Sequence, residues 1–533
     1  MTRGVTRRDV LRAGAVAGAL SALPGCDAVW SRLGPYVDGL PERLDVTSYG
    51  DAVDPHFHFL SRATWGPRPG DVDALRARGI DAWLDEQLAP ERIDDGWLEL
   101  RLEECELIRD DAPDLESVLE RDVRAQLERA ALLRAVHSRR QLHEVVVAFW
   151  TDHFSIDVGK RGCLRTKPHD DAAVVRAHAF GRFRDLVRAS ALSPAMLVYL
   201  DGKDNRKATA AEQPNENYAR ELLELHTLGV HGGYSQKDVM EAARCLTGWT
   251  LDHDSLSHVL RGEFARAGRP VFRPEHHDDG PKEVLGRRIA AGGGARDLDE
   301  LVDAVCAHPS TARFVSEKFC RRFVADAPPE SLVASTTDVF TQSDGDVPSL
   351  LRHVLRSAEF EASAGAKLKR PFRFVASALR ALGVEARAGR PEMGALERMG
   401  HVPFAHPTPD GYPDEAEPWT GTLLWRWNFA LGLATGALGA SRPDLPALAR
   451  RAGLDASADS PAELAPLFLG RRASPEERAA VDAYVTGGSG TSPAGGTSPA
   501  GGASTAGGAA PAGADARAEA VALLLASPGF QVH

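Results

Sequence analysis

The densest alternation of polar and apolar residues lies in residues 214–229, which read Pro-Asn-Glu-Asn-Tyr-Ala-Arg-Glu-Leu-Leu-Glu-Leu-His-Thr-Leu-Gly. Pro214 precedes the segment, Asn215 is of a type that caps helix N-termini, and Gly229 stands where a left-handed C-cap belongs. The stretch therefore predicts one helix between these two ends. At 100° per residue, its polar side chains form a narrow stripe, and most of its leucines lie on the other side.

The polar stripe consists of Asn217, Arg220, Glu221 and Glu224. Two interpretations are open. In the first, the stripe is a solvated face on which Arg220 and Glu224 form an i,i+4 pair worth about 0.3–0.5 kcal/mol. In the second, the stripe faces a site: Glu221, Glu224 and Arg220 are candidate catalytic residues, and Asn217 and Tyr218 are candidate binding residues. Carboxylates three residues apart on one helix point the same way, which is a poor arrangement for flanking a bond as glycosidases do.

The sequence on either side of this segment is also helical in pattern. Ser235 and Asp238 form a capping box that opens a helix over 236–247, and residues 120–154 show long 3.6-residue periodicity. Few segments alternate with period two, and the best strand candidate is a hairpin around 270–289. We expect a mainly α protein, a large multi-helix globular domain with a small β-hairpin decoration.

Further short motifs occur along the chain, at 58–66, 149–154, 194–200, 232–239, 242–250, 277–286, 410–413 and 527–531. Together with the central segment they resemble, in order, the signature of the bacterial domain-of-unknown-function 1800 family. The resemblance runs from about residue 55 to the C-terminus, with Trp65 where phenylalanine is common and Tyr412 where tryptophan is common. It implies an exported bacterial protein and brings no established activity with it. It also suggests a secreted sulfatase-like protein as a partner, and work on the envelope or on polysaccharides.

The first 26 residues predict export. Arg7 and Arg8 precede an apolar run over 13–23, which is followed by Pro24-Gly25-Cys26. The apolar run is too short to span a bilayer, which needs about 20 residues, and the paired arginines select the twin-arginine route. We expect residues 1–25 to be a twin-arginine signal peptide and Cys26 to carry a lipid. Cleavage nearby, leaving a soluble secreted protein, is the alternative.

The expected location is the periplasm or outer cell envelope, with a lipid anchor as the only membrane contact. We expect an irregular tether over 26–54 and the helical domain over 55–485. Residues 486–514 are Gly, Ser, Thr, Ala and Pro, a composition typical of a flexible insertion. A helical pattern returns in 515–533, so we expect a C-terminal helix that packs on the main domain.

The charge of the chain limits its partners. The net charge is -12, and removal of residues 1–25, with four arginines and one aspartate, lowers it to -15. An acidic protein repels phosphate backbones, so we expect no nucleic-acid binding.

A metal site is one hypothesis for the chemistry. His153, Glu221, Glu224, His277 and Asp278 form a candidate ligand pool, with His277 and Asp278 as metal ligands and His153 also as a binding residue. Carboxylates with one or two imidazoles suit Fe, Mn or Zn. Against this, the two glutamates do not form the Glu-x-x-His pattern of helical metal sites, and the 277–280 turn is equally typical of a hydrogen-bonded hairpin tip.

Three functions remain open from the sequence. The first is an exported envelope protein whose carboxylate and histidine site acts on or binds envelope or extracellular polymers. The second is a non-catalytic helical scaffold that binds a partner protein or a glycan. The third is a metal-dependent hydrolase or oxidoreductase. The chain has neither a G-x-S-x-G elbow nor a Walker loop, which leaves serine-esterase and nucleotide-hydrolysis functions without support.

Overall fold

The computed structural model describes residues 40–109, 118–207, 209, 212–252, 269–439, 441–487 and 512–533. The predicted signal peptide, the predicted lipidation residue Cys26, the start of the predicted tether and most of the predicted insertion lie outside the described residues.

The fold is mainly α-helical, as predicted, with 59% of the chain in helices. The first helices are α1 (Pro55–Ala63), α2 (Asp71–Arg78), α3 (Ile80–Gln87), α4 (Gly96–Leu102), α5 (Glu120–His137), α6 (Gln141–His153), α7 (Cys163–His169), α8 (Phe183–Ala191), α9 (Pro194–Tyr199), α10 (Asn217–Glu221) and α11 (Gln236–Cys245). After the strands follow α12 (Arg296–Cys306), α13 (Pro309–Phe323), α14 (Glu330–Gln342), α15 (Val347–Leu355), α16 (Ala358–Glu361), α17 (Pro371–Ala381) and α18 (Arg390–Arg398). The last are α19 (Leu423–Ala434), α20 (Leu445–Arg451), α21 (Ala465–Leu469), α22 (Pro475–Gly487), α23 (Ala512–Ala526) and α24 (Pro528–Gln531).

Two helices continue into π turns. Helix α7 runs on into Asp170–Arg176, and α10 runs on into Leu222–Thr227, where the Leu228 N–H bonds the Leu223 carbonyl. The predicted helix over the central segment is therefore present but changes its winding halfway. A π turn has more residues per turn than an α-helix, so a 100° wheel misplaces the side chains that follow residue 222.

The strands form two separate two-stranded antiparallel sheets. β1 (Trp249–Asp252) pairs with β2 (Arg269–Phe272), and β3 (Lys282–Val284) pairs with β4 (Arg287–Ile289). The small β decoration is present, but residues 270–289 contribute to two separate sheets instead of forming the one predicted hairpin. The segment between them folds inward at His277, so each strand finds another partner.

Helix α6 lies at the centre of the core and positions the site. Trp150 is completely buried and packs edge-on against Phe319 of α13, with ring centroids 5.5 Å apart. The helix buries apolar side chains on nearly all sides, as a core helix does. Its polar exceptions, Glu144, Asp152 and His153, are held among neighbouring elements and supply the site described below.

The chain before α1 packs on the helical body. In the part of the predicted tether that is described, Leu44, Val46 and Tyr49 are buried, and the Leu44 N–H bonds the Arg451 carbonyl at 2.7 Å. Residues 40–54 thus belong to the domain. At the other end, α23 packs against α19 and α22. Among the residues described, no helix combines the length and the apolar content needed to cross a bilayer.

Candidate functional site

A pocket of about 70 Å³ lies beside α6, and we call it the central pocket. Its walls combine charged and aromatic side chains from distant parts of the chain. They include Trp65, Glu144, Thr151, Asp152, Asp171, Arg176, Arg370, Phe372, His401, Phe404 and Tyr412. Three of the motif segments noted in the sequence, 58–66, 149–154 and 410–413, therefore meet at this pocket.

One wall is a buried network of paired charges, which we call the ion-paired wall: Arg134, Glu144, Asp171 and Arg176. The two terminal nitrogens of Arg176 donate to the two Glu144 oxygens, both at 2.9 Å, and its Nε donates to Asp171 at 2.8 Å. Arg134 donates to the same Asp171 oxygen at 3.2 Å. Burial alone would raise the pKa of Glu144, but the Arg176 guanidinium brings it far below its usual value. Each charged side chain of the ion-paired wall therefore has an oppositely charged partner within the wall.

A second group of paired charges, which we call the arginine wall, consists of Asp152 and Arg370, which line the pocket, and of Asp414 and Arg322 next to them. Arg370 Nη1 lies 2.8 Å from Asp152 Oδ2 and 3.6 Å from Asp414 Oδ1, and Arg322 Nη1 donates to Asp414 at 2.7 Å. Burial would raise the pKa of Asp414, but Arg322 and Arg370 together lower it strongly. Gly411 has φ +77°, and a Cβ there would lie 2.0 Å from the Asp152 carbonyl oxygen, so the 410–414 loop needs glycine to lie this close to α6.

Aromatic rings line the rest of the central pocket. Trp65 packs edge-on against Phe372 at 5.0 Å, and His401 lies between Tyr412 at 4.3 Å and Trp419 at 5.0 Å. Burial and the nearby arginines hold the pKa of His401 well below its usual value, so this imidazole is neutral at neutral pH. The pocket thus offers flat apolar surfaces between two charged walls.

Lys318 of α13 stands next to the arginine wall without a charged partner. Its Nζ lies 5.4 Å from the Phe314 ring centroid, and it has no hydrogen bond or ion pair with any described residue. Burial lowers the pKa of Lys318 to about 8, although the carboxylates of Asp414, Asp152 and Asp410 act in the opposite direction. A lysine with this pKa carries a usable neutral fraction near pH 7 and can exchange protons.

Two buried imidazoles lie behind Lys318. His153 Nε2 donates to the His226 carbonyl at 2.9 Å, and His153 Nδ1 has no partner within the described ranges. Both ring nitrogens of His226 and the Tyr218 hydroxyl are buried without partners among the described residues. Burial lowers the pKa of His226 to about 3, and Lys318 adds to the effect. The predicted binding residues His153 and Tyr218 therefore lie inside the protein, below the surface that Glu221 and Glu224 reach.

Glu221, Glu224 and Asp410 form a half-exposed group that we call the acidic cluster. Burial raises the pKa of Glu221, and Glu224 and Asp410 add to the rise. Glu224 accepts a hydrogen bond from the Tyr234 hydroxyl at 3.1 Å. Asp410 comes from the same loop that closes over α6, so the two candidate catalytic carboxylates lie beside a third from a distant segment.

Arg220 and Asn217 are hydrogen-bonded to residues other than Glu221 and Glu224. Arg220 Nη2 contacts Glu216 at 3.1 Å and Gln236 at 2.9 Å, so its i,i+4 partner is Glu216 and not Glu224. Asn217 is exposed, and its side chain donates to the Leu200 carbonyl at 3.2 Å. Neither side chain is hydrogen-bonded to Glu221 or Glu224, although the charge of Arg220 partly opposes the rise in the pKa of Glu221.

His277 and Asp278 lie in a different place, between β2 and α12. His277 contacts the Thr247 carbonyl through Nδ1 at 2.9 Å and Asp297 through Nε2 at 3.2 Å. Asp278 accepts two hydrogen bonds from Arg244, both at 2.9 Å. The ligand atoms of both residues are used within the protein, and the buried His277 fixes this turn to α12 through Asp297.

The metal pool predicted from the sequence is therefore not assembled, because His277 and Asp278 lie apart from Glu221 and Glu224. Within the described ranges, no group of three or more His, Cys, Asp and Glu side chains is placed to hold a metal ion.

The sequence did not single out the residues that build the central pocket and Lys318. Trp65, Asp152 and Tyr412 lie within the short motif segments, but the motifs give them no role. Arg370 lies in none of these segments. One signal for Lys318 was present: Phe314 and Arg322 occupy the positions four residues before and after it, so no carboxylate can pair with it at that spacing.

Comparison with known proteins supports the resemblance seen in the motifs. The model of the family described as a protein of unknown function (DUF1800) matches residues 58–532. No curated protein and no solved structure matches the chain.

Proposed function

The chain belongs to the DUF1800 family of proteins of unknown function, and we propose that it is an exported, lipid-anchored envelope protein that binds and acts on an envelope or extracellular polymer. The site of this action is the central pocket together with Lys318 and the acidic cluster. Export and anchoring are supported by the twin-arginine pattern and by Cys26 in the sequence.

One observation carries the proposed site. Segments 215–229 and 410–413 pack against the 149–154 end of α6, and Lys318 nearby forms no ion pair with a carboxylate in the described part of the chain. The Asp410 carboxylate acts on both the Lys318 amine, whose pKa is lowered, and the Glu221 carboxyl, whose pKa is raised, and two groups shifted in this way support general acid–base chemistry. Strongly shifted groups that only stabilise a fold are normally paired, as those of the ion-paired wall are.

The chemistry of the site limits the ligand. Glu221 holds a proton more readily than an ordinary glutamate, and Lys318 releases one more readily than an ordinary lysine. The aromatic rings of the central pocket suit the apolar face of a sugar ring or a similar flat group. The small volume of the pocket suits a side group or chain end of a polymer, with the rest of the polymer lying outside it.

The test is binding and turnover on a panel of envelope and extracellular polysaccharides. We expect Lys318→Met to reduce turnover by about 10²–10⁴-fold, the range for loss of a general acid or base. Lys237→Met is the matched control, because Lys237 is exposed and pairs with Glu283 on the surface. Equal activity of wild type and Lys318→Met on a polymer that the protein turns over would rule out the proposed site.

Export and anchoring have their own test. Replacing Arg7 and Arg8 by lysine should retain the protein in the cytoplasm, since the twin-arginine route requires the pair. In the exported wild type, mass spectrometry of the mature N-terminus should find Cys26 carrying acyl chains. A mature N-terminus at another residue would show that the protein is secreted without a lipid anchor.

A non-catalytic scaffold is the second candidate, and the arginine wall favours it. Asp152, Arg370, Asp414 and Arg322 already pair with one another, as in a structural network. A scaffold would bind the same polymer or a partner protein without turnover. Lys318→Met would then weaken binding, and no product would form with either variant.

A further inference from the structure

Helix α19 has its polarity reversed relative to an ordinary surface helix. Its one charged side chain, Arg426, is completely buried, whereas Leu424 is 59% exposed and Trp427 50% exposed. Leu424, Trp427, Asn428 and Leu431 follow the i, i+3, i+4, i+7 spacing of one helix face, and we call them the α19 face. Normally this spacing carries the buried side of a helix.

Arg426 fixes the orientation of α19. Its Nε donates to the Thr422 hydroxyl at 2.8 Å, its Nη1 donates to Gln531 at 3.2 Å, and its guanidinium lies 5.3 Å from the Phe374 ring centroid. The opposite side of the helix packs against α17 and α23 through Phe429, Ala430 and Leu433. The buried Arg426 and the apolar contacts on the opposite side of the helix therefore keep the α19 face exposed.

Exposed apolar side chains concentrate on this helix. Ten large hydrophobic residues are exposed in the described part of the chain, and five of them belong to α19. A sixth, Leu523, lies on α23, which packs against α19, and Trp427 Nε1 bonds the Ala526 carbonyl of α23 at 3.2 Å. Scattered apolar residues are ordinary on a protein surface, but a contiguous patch marks an interaction site.

We propose that the α19 face docks against the surface of the membrane that carries the protein's own lipid anchor. This docking rests on the proposed lipid attachment at Cys26, which keeps the domain close to a membrane. Thirteen residues lie between Cys26 and Leu40, the first described residue, so the domain lies at most about 50 Å from the bilayer. The membrane is thus the apolar surface always within reach.

The described chain begins beside α20, which lies near the C-terminal end of α19. The Leu40 carbonyl accepts a hydrogen bond from Arg451, the last residue of α20, at 2.7 Å. Ala449 of α20 and Ala434 of α19 line one shared groove. The first described residue and the C-terminal end of α19 therefore both lie next to α20.

The side chains of the face fit the interfacial region of a bilayer. Tryptophan prefers the boundary between head groups and acyl chains, and leucine prefers the acyl side. No charged side chain of α19 is exposed, and the protein as a whole is acidic, so attraction to anionic lipid cannot drive this contact. Docking should therefore occur on zwitterionic lipid and should change little with salt.

The test uses the full chain with Cys26→Ser, so that no lipid can be attached and docking is separated from anchoring. Vesicles of phosphatidylcholine with brominated acyl chains should quench Trp427, and the quenching should fall when Trp427→Phe is added. Sedimentation with the same vesicles should show at least about tenfold weaker binding for Leu424→Gln/Trp427→Gln, the loss expected from removing one or two buried apolar side chains. Leu119→Gln is the matched control, because Leu119 is 58% exposed outside the face.

The outcomes separate the two proposals. Equal vesicle binding by Leu424→Gln/Trp427→Gln and by Leu119→Gln would overturn docking and leave the anchor at Cys26 standing. A concentration-dependent dimer that is lost in the double variant would assign the face to a second copy of the chain instead. Membrane docking with an unmodified Cys26 in the exported protein would support docking and overturn the anchor.

Discussion

The ion-paired wall and the acidic cluster are both built where a helix continues into a π turn, yet their charges are satisfied to different degrees. The turn Asp170–Arg176 supplies Asp171 and Arg176, whose oxygens and nitrogens are paired with each other and with Glu144. The turn Leu222–Thr227 supplies Glu224, which accepts a hydrogen bond from Tyr234, and His226, whose two ring nitrogens have no partner among the residues that the structure describes. One π turn therefore places paired charges in the ion-paired wall, whereas the other leaves polar atoms near the acidic cluster that a ligand can bond.

This difference has an energetic meaning. Burying a charge costs several kcal/mol, which a well-formed pair with further hydrogen bonds can offset. A buried group without a partner keeps that cost, and a ligand that supplies the partner removes it. We therefore expect substitutions in the ion-paired wall to change stability, and substitutions around Lys318 to change function while leaving stability equal or higher.

The largest effect on stability is expected from Arg176→Met. Its removal leaves Glu144 and Asp171 as buried carboxylates with reduced compensation, so the free energy of unfolding should fall by about 3–5 kcal/mol in urea titration. Arg182→Met is the control, because Arg182 pairs with Asp344 on the surface and should cost at most about 1 kcal/mol. Similar losses of unfolding free energy for the two variants would mean that the ion-paired wall stabilises the fold no more than a surface ion pair does.

Lys318→Met should behave in the opposite way. Because burial lowers the pKa of Lys318 from 10.5 to about 8, the folded protein binds fewer protons than the unfolded chain between these values. The free energy of unfolding of the wild type should therefore rise from pH 8 to about 10.5, and this rise should be smaller in Lys318→Met. At pH 7 the variant should be at least as stable as the wild type. A clear loss of stability at pH 7 would place Lys318 among the structural charges.

The architecture followed largely from local signals in the sequence. The capping box of Ser235 and Asp238 forms as predicted at the start of α11. Asn215 accepts the Asn217 N–H at 3.0 Å, and Gly229 has φ +84° at the far end. These signals act between residues a few positions apart, so they can be recognised without knowledge of the tertiary structure.

The site could be predicted only in part, because its partners are distant in the chain. The helical wheel placed Glu221 and Glu224 on one stripe, and both are half-buried at the acidic cluster. It also paired Arg220 with Glu224, whereas Arg220 pairs with Glu216. Arg370 meets Asp152 across more than two hundred residues, and His277 turns inward to Asp297. Nothing in local spacing indicates such contacts.

Glu221→Gln tests the acidic cluster with a smaller effect. Its pKa is raised, so the protonated form is favoured in the folded state, and the stability it contributes is lost as pH rises through that pKa. The neutral glutamine should therefore stabilise the protein at pH 7 by about 0.5 kcal/mol, allowing for solvent screening, and the gain should vanish below pH 4. Glu361→Gln, at an exposed carboxylate away from the cluster, should show no gain at either pH.

The smallest effect concerns the pairing of Arg220, which decides whether the stripe of α10 is a solvated ladder or the edge of a site. Double-mutant cycles should give a coupling energy of about 0.3–0.5 kcal/mol between Arg220 and Glu216, typical of an i,i+4 pair, and no coupling between Arg220 and Glu224. Glutamine is the replacement at each position, since a glutamine at 224 can still accept the hydrogen bond of Tyr234. Added salt should weaken the first coupling because the pair is partly exposed. Coupling of Arg220 to Glu224 would mean that Glu224 belongs to a surface ion pair. Glu221 and Asp410 would then be the remaining carboxylates of the acidic cluster.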